Sequence, residues 1–318
     1  MANVASAVDG TTVYVSGSDA SVLSHPIWVD RRGAHLAKAV EHSLENPRYP
    51  RLSPDGRRLA LTVGPSARGD VWIYDLGGAA QPVKLTFQGH NIFPIWSPDG
   101  KRVVFLSPAG SSNHMFSIPA DGSATEPEPL TTSENVRLPL AWSPDGAFVL
   151  FNEISGQTRA DLQLLQVSDK KTRPWLQTPF SENEGRFSPD GHWVAYASNQ
   201  TGKFEVWVRP FPGPGAPVRV SSDGGRNPVW SGDGKELFYD NGSKVLSARV
   251  VSEVPDFRVE TPRMLFEGGF VQGSMRSFDV APDGRFMMIE ANATTATSAS
   301  IVVVHDWFDE LKRIAPKK

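Results

Sequence analysis

The chain contains no cysteine, and this one absence removes disulfides, thiolate metal ligands and cysteine nucleophiles together. No run approaches the roughly 18 consecutive apolar residues of a membrane-spanning helix. Met1 to Ser16 has no basic stretch followed by a long apolar run, so a signal peptide is not expected there. That leaves the compartment open between a cytoplasmic protein, a mature form and a domain of a longer extracytoplasmic one. Strong charge of either sign is also missing: the net charge is −3 and the sequence pI about 6.2, which excludes the basic footprint that a nucleic acid partner requires. There is no Gly-X-Ser-X-Gly elbow, no Ser-X-X-Lys, no His-Glu-X-X-His and no glycine-rich phosphate loop. A serine hydrolase is therefore disfavoured. The seven histidines, His25, His35, His42, His90, His114, His192 and His305, are scattered without metal-ligand spacing.

What the chain has in quantity is turn residues, 28 Gly and 26 Pro, set among 39% hydrophobic residues, a mixture that suits many short strands. The turns are periodic. Ser-Pro-Asp-Gly recurs unaltered at Ser53 to Gly56, Ser97 to Gly100, Ser143 to Gly146 and Ser188 to Gly191. Variants stand at Ser231 to Gly234 and Ala281 to Gly284, and a degenerate copy at Val8 to Gly10. Successive turn glycines lie 43 to 50 residues apart, the length of a four-stranded propeller blade. Apolar runs flank each turn, and Asp-Gly suits a tight hairpin because Gly takes positive φ without a steric cost while Asp bonds the turn backbone.

This pattern predicts an all-β, seven-bladed β-propeller with four-stranded antiparallel blades around a central channel, occupying residues 1–318 as a single domain. Its units would fall at about 1–43, 44–88, 89–132, 133–178, 179–223, 224–269 and 270–318. The residues left over at the two ends together amount to about one more period. Six blades is the alternative, if Asn3 to Val40 merely completes the last unit. Trp96, Trp142 and Trp230 stand immediately before a turn serine, with Leu52 and Phe187 in the equivalent places, and are expected to pack between blades. The turn aspartates Asp55, Asp99, Asp145, Asp190, Asp233 and Asp283 are expected to serve their own turns rather than form a ring of carboxylates.

Phrases such as Trp142-Ser-Pro-Asp-Gly146 and Arg186-Phe-Ser-Pro-Asp-Gly191 resemble the TolB-type propeller repeat, related in architecture to WD repeats. The resemblance covers nearly the whole chain. It implies a fold used for binding scaffolds, peptidase gates, sensor ectodomains and some enzymes. Val206-Trp-Val-Arg-Pro-Phe-Pro-Gly-Pro-Gly215, followed by Glu236-Leu-Phe-Tyr239, is similar to propeller domains attached to bacterial signalling proteins.

The loops that enter each innermost strand should surround the channel mouth, and they are rich in oxygen donors. They are Asn46 to Tyr49, His90 to Phe93, Glu134 to Arg137, Ser181 to Glu184 and Arg226 to Pro228, each with an Asn. Either the Asn simply starts a turn, or amide and carboxylate oxygens converge on a hard cation such as calcium. In the second case Glu182, Glu184, Asn91, Asn135 and Asn227 are the candidate metal ligands, with His90 and Glu184 as candidate catalytic groups. The cation would polarise a small ester or lactone carbonyl and activate water. Calcium-dependent lactonase propellers of the paraoxonase and gluconolactonase type are the architectural precedent, although none of their motifs is matched. The other function class is a non-enzymatic module that binds a peptide, protein or small ligand at the same mouth. A monomer is expected in either case.

Overall fold

The computed structural model describes residues 4–6, 12–16, 23–65, 68–78, 80–109, 112–154, 159–252, 256–270, 275–291 and 300–304. They fall into two compact units, one formed by residues 1–22 and 292–318 and the other by Leu23–Ala291. The larger unit is a β-propeller of six antiparallel sheets.

Each blade runs outward from an inner strand. Blade 1 comprises Arg48–Leu52, Arg58–Val63, Asp70–Asp75 and Val83–Lys84, and blade 2 Ile92–Trp96, Arg102–Ala109, Ser112–Pro119 and Glu128–Pro129. Blade 3 comprises Val136–Trp142, Phe148–Ile154, Ala160–Gln166 and Thr172–Leu176, and blade 4 Glu182–Phe187, Trp193–Ser198, Glu205–Pro210 and Val218–Arg219. In blade 5, Arg226–Trp230 and Glu236–Asn241 lead to a long third strand, Lys244–Ser252, against which both Arg258–Val259 and Arg263–Glu267 pair. Blade 6 takes Asp279–Val280 and Phe286–Ala291 from late in the chain, then Leu23–Val29 and His35–Lys38 from early in it. Phe286 pairs with Val29 and Ala291 with Ser24, so the ring is fastened by strands from opposite ends of the larger unit.

The expectation of seven blades is corrected to six. Inner strands touch in succession around the ring, and Asp279–Val280 of blade 6 meets both Arg226–Trp230 of blade 5 and Arg48–Leu52 of blade 1. The extra period has a physical explanation. Leu23–Lys38 supplies the outer strands of blade 6, while Val4–Ser6, Thr12–Ser16 and Ser300–Val304 pair into a three-stranded sheet of their own in the smaller unit. The Val8 to Gly10 turn lies outside the described residues. No helix of the described residues is long and apolar enough to cross a membrane.

The repeated turn is built the same way in blades 1 to 5. The serine hydroxyl donates to the aspartate carboxylate and accepts the N–H five residues on, as from Arg58 to Ser53 at 2.9 Å and from Phe148 to Ser143 at 2.8 Å. The aspartate also accepts the N–H two residues on, such as that of Ala147 on Asp145 at 3.0 Å. These bonds hold Asp55, Asp99, Asp145 and Asp233 below the usual carboxylate range. The turn glycine has φ between 67° and 84° in all six blades. At Gly56 an added Cβ would also lie 3.0 Å from the Pro282 ring of the neighbouring blade, so the glycine serves close inter-blade packing as well as the turn.

Residues preceding the turns pack between blades as expected, and two tryptophans do more. The Trp96 indole N–H donates to the Arg51 carbonyl at 2.9 Å, and that of Trp230 to the Arg186 carbonyl at 3.2 Å. Each stitches one inner strand to the preceding one. Apolar side chains fill the spaces between blades, for example Ile27, Val29, Phe238, Phe266, Phe278 and Phe286 between blades 5 and 6. Each such side chain fully buried contributes about 1.5 to 3 kcal/mol, which makes these seams the main source of stability.

Candidate functional site: the channel and its two ends

Two residues of each inner strand decide the chemistry of the channel. The first lies four positions before the turn serine. In blades 1, 2, 4 and 5 it is Tyr49, Phe93, Glu184 and Asn227, and all four adopt positive φ between 50° and 61°. Each sits where the pairing with the second strand slips by a bulge, which re-aims the side chain. Arg276 in blade 6 has the same conformation, with φ of 58°. Pro139 holds the position in blade 3, where the proline ring forbids positive φ.

These side chains meet across the ring. Tyr49 and Phe93 stack with centroids 4.1 Å apart, and the Arg276 guanidinium lies 5.2 Å from the Phe93 ring. Arg276 donates to the carbonyls of Pro94 at 3.3 Å and Pro139, and its N–H donates to Asn227 Oδ1. Asn227 in turn gives its N–H to Glu184 at 2.7 Å and its Nδ2–H to Asp240 at 2.8 Å. Among the described residues the entry-loop end is thus filled by side chains, and the space beneath it is about 10 Å³.

Of the five predicted metal ligands, Glu184 and Asn227 meet through the Asn227 N–H, and Glu182, Asn91 and Asn135 are engaged separately. Glu184 turns toward blade 5, where Arg226 holds it at 3.0 Å, while burial pushes its carboxyl up to about 7 against the opposing pull of Arg226 and the Asn227 N–H. Glu182 turns the other way, toward blade 3, where it accepts the Thr178 hydroxyl; burial first and then Asp161 push it up to about 7. Asn91 is buried and spent on Asp70 at 2.8 Å. Asn135 is half-buried, with its N–H on Ser133, and His90 is exposed. No group of three or more His, Asp or Glu side chains among the described residues is arranged to hold a metal.

Among the described residues the wider space is at the opposite end, where the Ser-Pro-Asp-Gly turns lie. A bowl of about 440 Å³ there is lined by all six blades. Its floor is the second deciding position, two residues before the turn serine or its equivalent: Arg51, Ile95, Ala141, Arg186, Val229 and Asp279. Three are apolar, and two arginines stand opposite each other across the ring. Asp279 accepts the Leu52 N–H at 2.9 Å and lies 3.6 Å from Arg186. Arg51 is 4% exposed and bonds only main-chain carbonyls, Pro50 at 2.9 Å and Phe278 at 3.4 Å. Arg51 Nε and Arg186 Nη2 are buried without a hydrogen-bond partner. Burial, then mutual repulsion with Arg186 and Arg276, holds Arg51 well below the usual guanidinium range, and burial first, then repulsion from Arg186, pushes Arg276 down to about 9. Reasoning from the loops missed these arginines, although their constant offset from the turn was readable.

Among the described residues, fold and site together define a β-propeller whose channel is filled at one end and carries Arg51, Arg186 and Asp279 on the floor of a bowl at the other. No family model matches the chain. It is 27% identical over 258 residues to an uncharacterized protein of Agrobacterium fabrum, covering 74% of this chain and 81% of that one. Among solved structures it is similar to a TolB-type protein from Agrobacterium tumefaciens, with TM-score 0.68 and 21% identity over 87% of this chain and all of that one. TolB from Acinetobacter baumannii has TM-score 0.57 at 14% identity, over 84% and 82% of the two chains. An oligogalacturonate lyase in complex with manganese has TM-score 0.55 at 12% identity, over 96% and 81%. The chain shares the β-propeller fold of these TolB-type proteins.

Proposed function

We propose that this propeller is a binding module whose turn-face bowl takes up a carboxylate-bearing segment of a partner polypeptide. The observation that carries the reading is the pair of arginines on the bowl floor: Arg51 is buried with its Nε–H lacking an acceptor, and Arg186 is half-buried with its Nη2 in no hydrogen bond and 3.6 Å from Asp279. A buried donor left unpaired costs about 1 to 3 kcal/mol, and an incoming carboxylate would offset that cost with charge-assisted bonds. Ile95, Ala141 and Val229 provide apolar contact beside the charged groups, the usual make-up of a ligand pocket. The TolB likeness agrees with a binding role.

The test is a calorimetric titration with a short acetylated peptide that ends in a free carboxylate, alongside the same peptide ending in an amide. Binding of the acid alone, lost in Arg51→Met and Arg186→Met, is the expected result. Equal binding of both peptides, or of neither, would sink the reading.

Cation-assisted hydrolysis of a small ester or lactone is the second reading; the fold likeness to a lyase in complex with manganese agrees with a metal-associated enzyme in general and not with hydrolysis in particular. The separation of Glu182 from Glu184, and the engagement of Glu184 by Arg226, count against it. Chelator-sensitive turnover of an ester or lactone, restored by calcium, would favour it over binding alone.

A further inference from the structure

Equivalent places in the blades can be compared directly, and one of them departs from the others. At the start of the third strand, blades 1, 3 and 4 carry a buried carboxylate: Asp70, Asp161 and Glu205. Asp70 accepts the Thr86 hydroxyl at 2.9 Å and the Gly89 N–H at 3.1 Å, with Lys84 at 3.1 Å. Glu205 accepts the Ser221 hydroxyl and the Gly224 N–H at 3.1 Å, with Lys203 at 3.9 Å. A lysine balances the buried charge in both blades, with three hydrogen-bond donors at Asp70, Asn91 being the third, and two at Glu205.

Blade 3 has no such lysine and instead faces a second buried carboxylate, Glu182 of blade 4. Gln177 donates to Asp161 Oδ2 at 3.1 Å and Thr178 donates to Glu182 Oε1, which leaves the other oxygen of each acid unsatisfied. Two neutral oxygens nearby are unsatisfied as well. Asn152 spans the two acids, its Nδ2 donating to the carbonyls of Asp161 at 3.2 Å and Glu182 at 2.6 Å, while its Oδ1 has no partner. Ser198 pairs directly opposite Glu182 across the strands, so their side chains share one face, and its hydroxyl is also unpartnered. Asn152, Asp161, Glu182 and Ser198 are all at most 3% exposed.

Four buried, unpartnered oxygens on neighbouring elements, two of them on acids that repel each other, form a donor set that a positive charge would satisfy. We propose that the seam between blades 3 and 4 binds one divalent hard cation of the calcium class through Asp161 Oδ1, Glu182 Oε2, Asn152 Oδ1 and Ser198 Oγ. An all-oxygen donor set with no imidazole or thiolate suits calcium, which tolerates irregular coordination, over zinc or copper. The site differs from a cation at the channel mouth, because of the mouth residues only Glu182 belongs to it. Its effect would be to tie blade 3 to the inner strand that carries Glu184 and Arg186.

The experiment uses the full chain, stripped with chelator and dialysed into metal-free buffer, then titrated with calcium chloride by calorimetry and by thermal unfolding. One equivalent bound per chain, with a rise in the unfolding midpoint, is expected. Glu182→Gln and Asp161→Asn should each weaken binding at least tenfold, and Ser198→Ala should weaken it less. Absence of heat and of any midpoint shift at millimolar calcium overturns the proposal without recourse to a variant. Binding retained in the Glu182→Gln, Asp161→Asn double variant overturns it too, as does a metal-insensitive parent that Glu182→Gln stabilises, the behaviour of two acids sharing a proton.

Discussion

Replacing Arg51 with methionine should make the propeller more stable and at the same time abolish its uptake of a carboxylate. Arg51 is almost completely buried, has no carboxylate within 4.0 Å among the described residues, and feels repulsion from Arg186 and Arg276. Its Nε–H is unsatisfied, and its bonds to the Pro50 and Phe278 carbonyls include one long contact at 3.4 Å. Methionine keeps most of the stem and its packing while removing the charge. The loss is the two carbonyl contacts, together worth about 1 to 2 kcal/mol. The gain is release of an effective desolvation penalty of several kcal/mol per buried ion. The balance favours the variant by about 1 to 2 kcal/mol, within the range seen when buried charges are exchanged for apolar groups. For a unit of this size that corresponds to a thermal midpoint higher by about 2 to 6 °C. Scanning calorimetry of parent and variant, paired with titration of the carboxylate peptide, measures both halves. A variant destabilised by more than about 1 kcal/mol would show that Arg51 is structurally compensated, a balance this reasoning denies.

Asp145→Ala removes the acceptor of the Ser143 hydroxyl and the Ala147 N–H, and should lower stability by about 1 kcal/mol in urea unfolding while leaving peptide binding unchanged. Gly185→Ala should be harsher: its Cβ would lie 2.5 Å from Leu150 Cδ2 and 3.3 Å from Leu162 Cδ2, and overpacking of this seam costs about 1 to 3 kcal/mol, measurable in the same assay. On acidification, Asp55, Asp99, Asp145 and Asp233 have folded values below the ordinary aspartate value, so their contribution is complete above that value and is lost as pH falls through the lower folded ones. A midpoint that declines only below about pH 4, and declines less in Asp145→Asn, is the expected profile.

The blade repeat was legible because Ser, Asp and Gly each have a local task that any blade must perform, so the turn recurs at nearly constant spacing. The number of blades was not. The leftover residues equal one period in length, but length does not reveal that Leu23–Lys38 pairs with Phe286–Ala291 while residues on either side form a separate sheet. The inward-facing set was hidden for a different reason. Bulges at Tyr49, Phe93, Glu184 and Asn227 break the two-residue alternation, so side chains that simple alternation would send elsewhere meet in the channel. Attention to Asn in the loops found Asn227 and Glu184 but passed over Arg276, whose loop contains none.

Within one chain the six blades act as controls for one another. Positions that must build a blade carry similar residues all round: the turn, and the large apolar residue just before it. Two positions before the turn, the residues change from arginine to isoleucine, alanine, arginine, valine and aspartate, yet all line the same bowl. If that ring served only the fold, the apolar choice made in blades 2, 3 and 5 would serve equally well in blades 1 and 4, without a guanidinium to desolvate. The same logic applies to the seam between blades 3 and 4. The lysine that neutralises the buried acid in blades 1 and 4 shows that the fold can balance such a charge internally, and in blade 3 it does not. Both departures impose a cost on the folded chain alone that a bound group of opposite charge would offset, so function is best sought where one blade breaks the pattern of the rest.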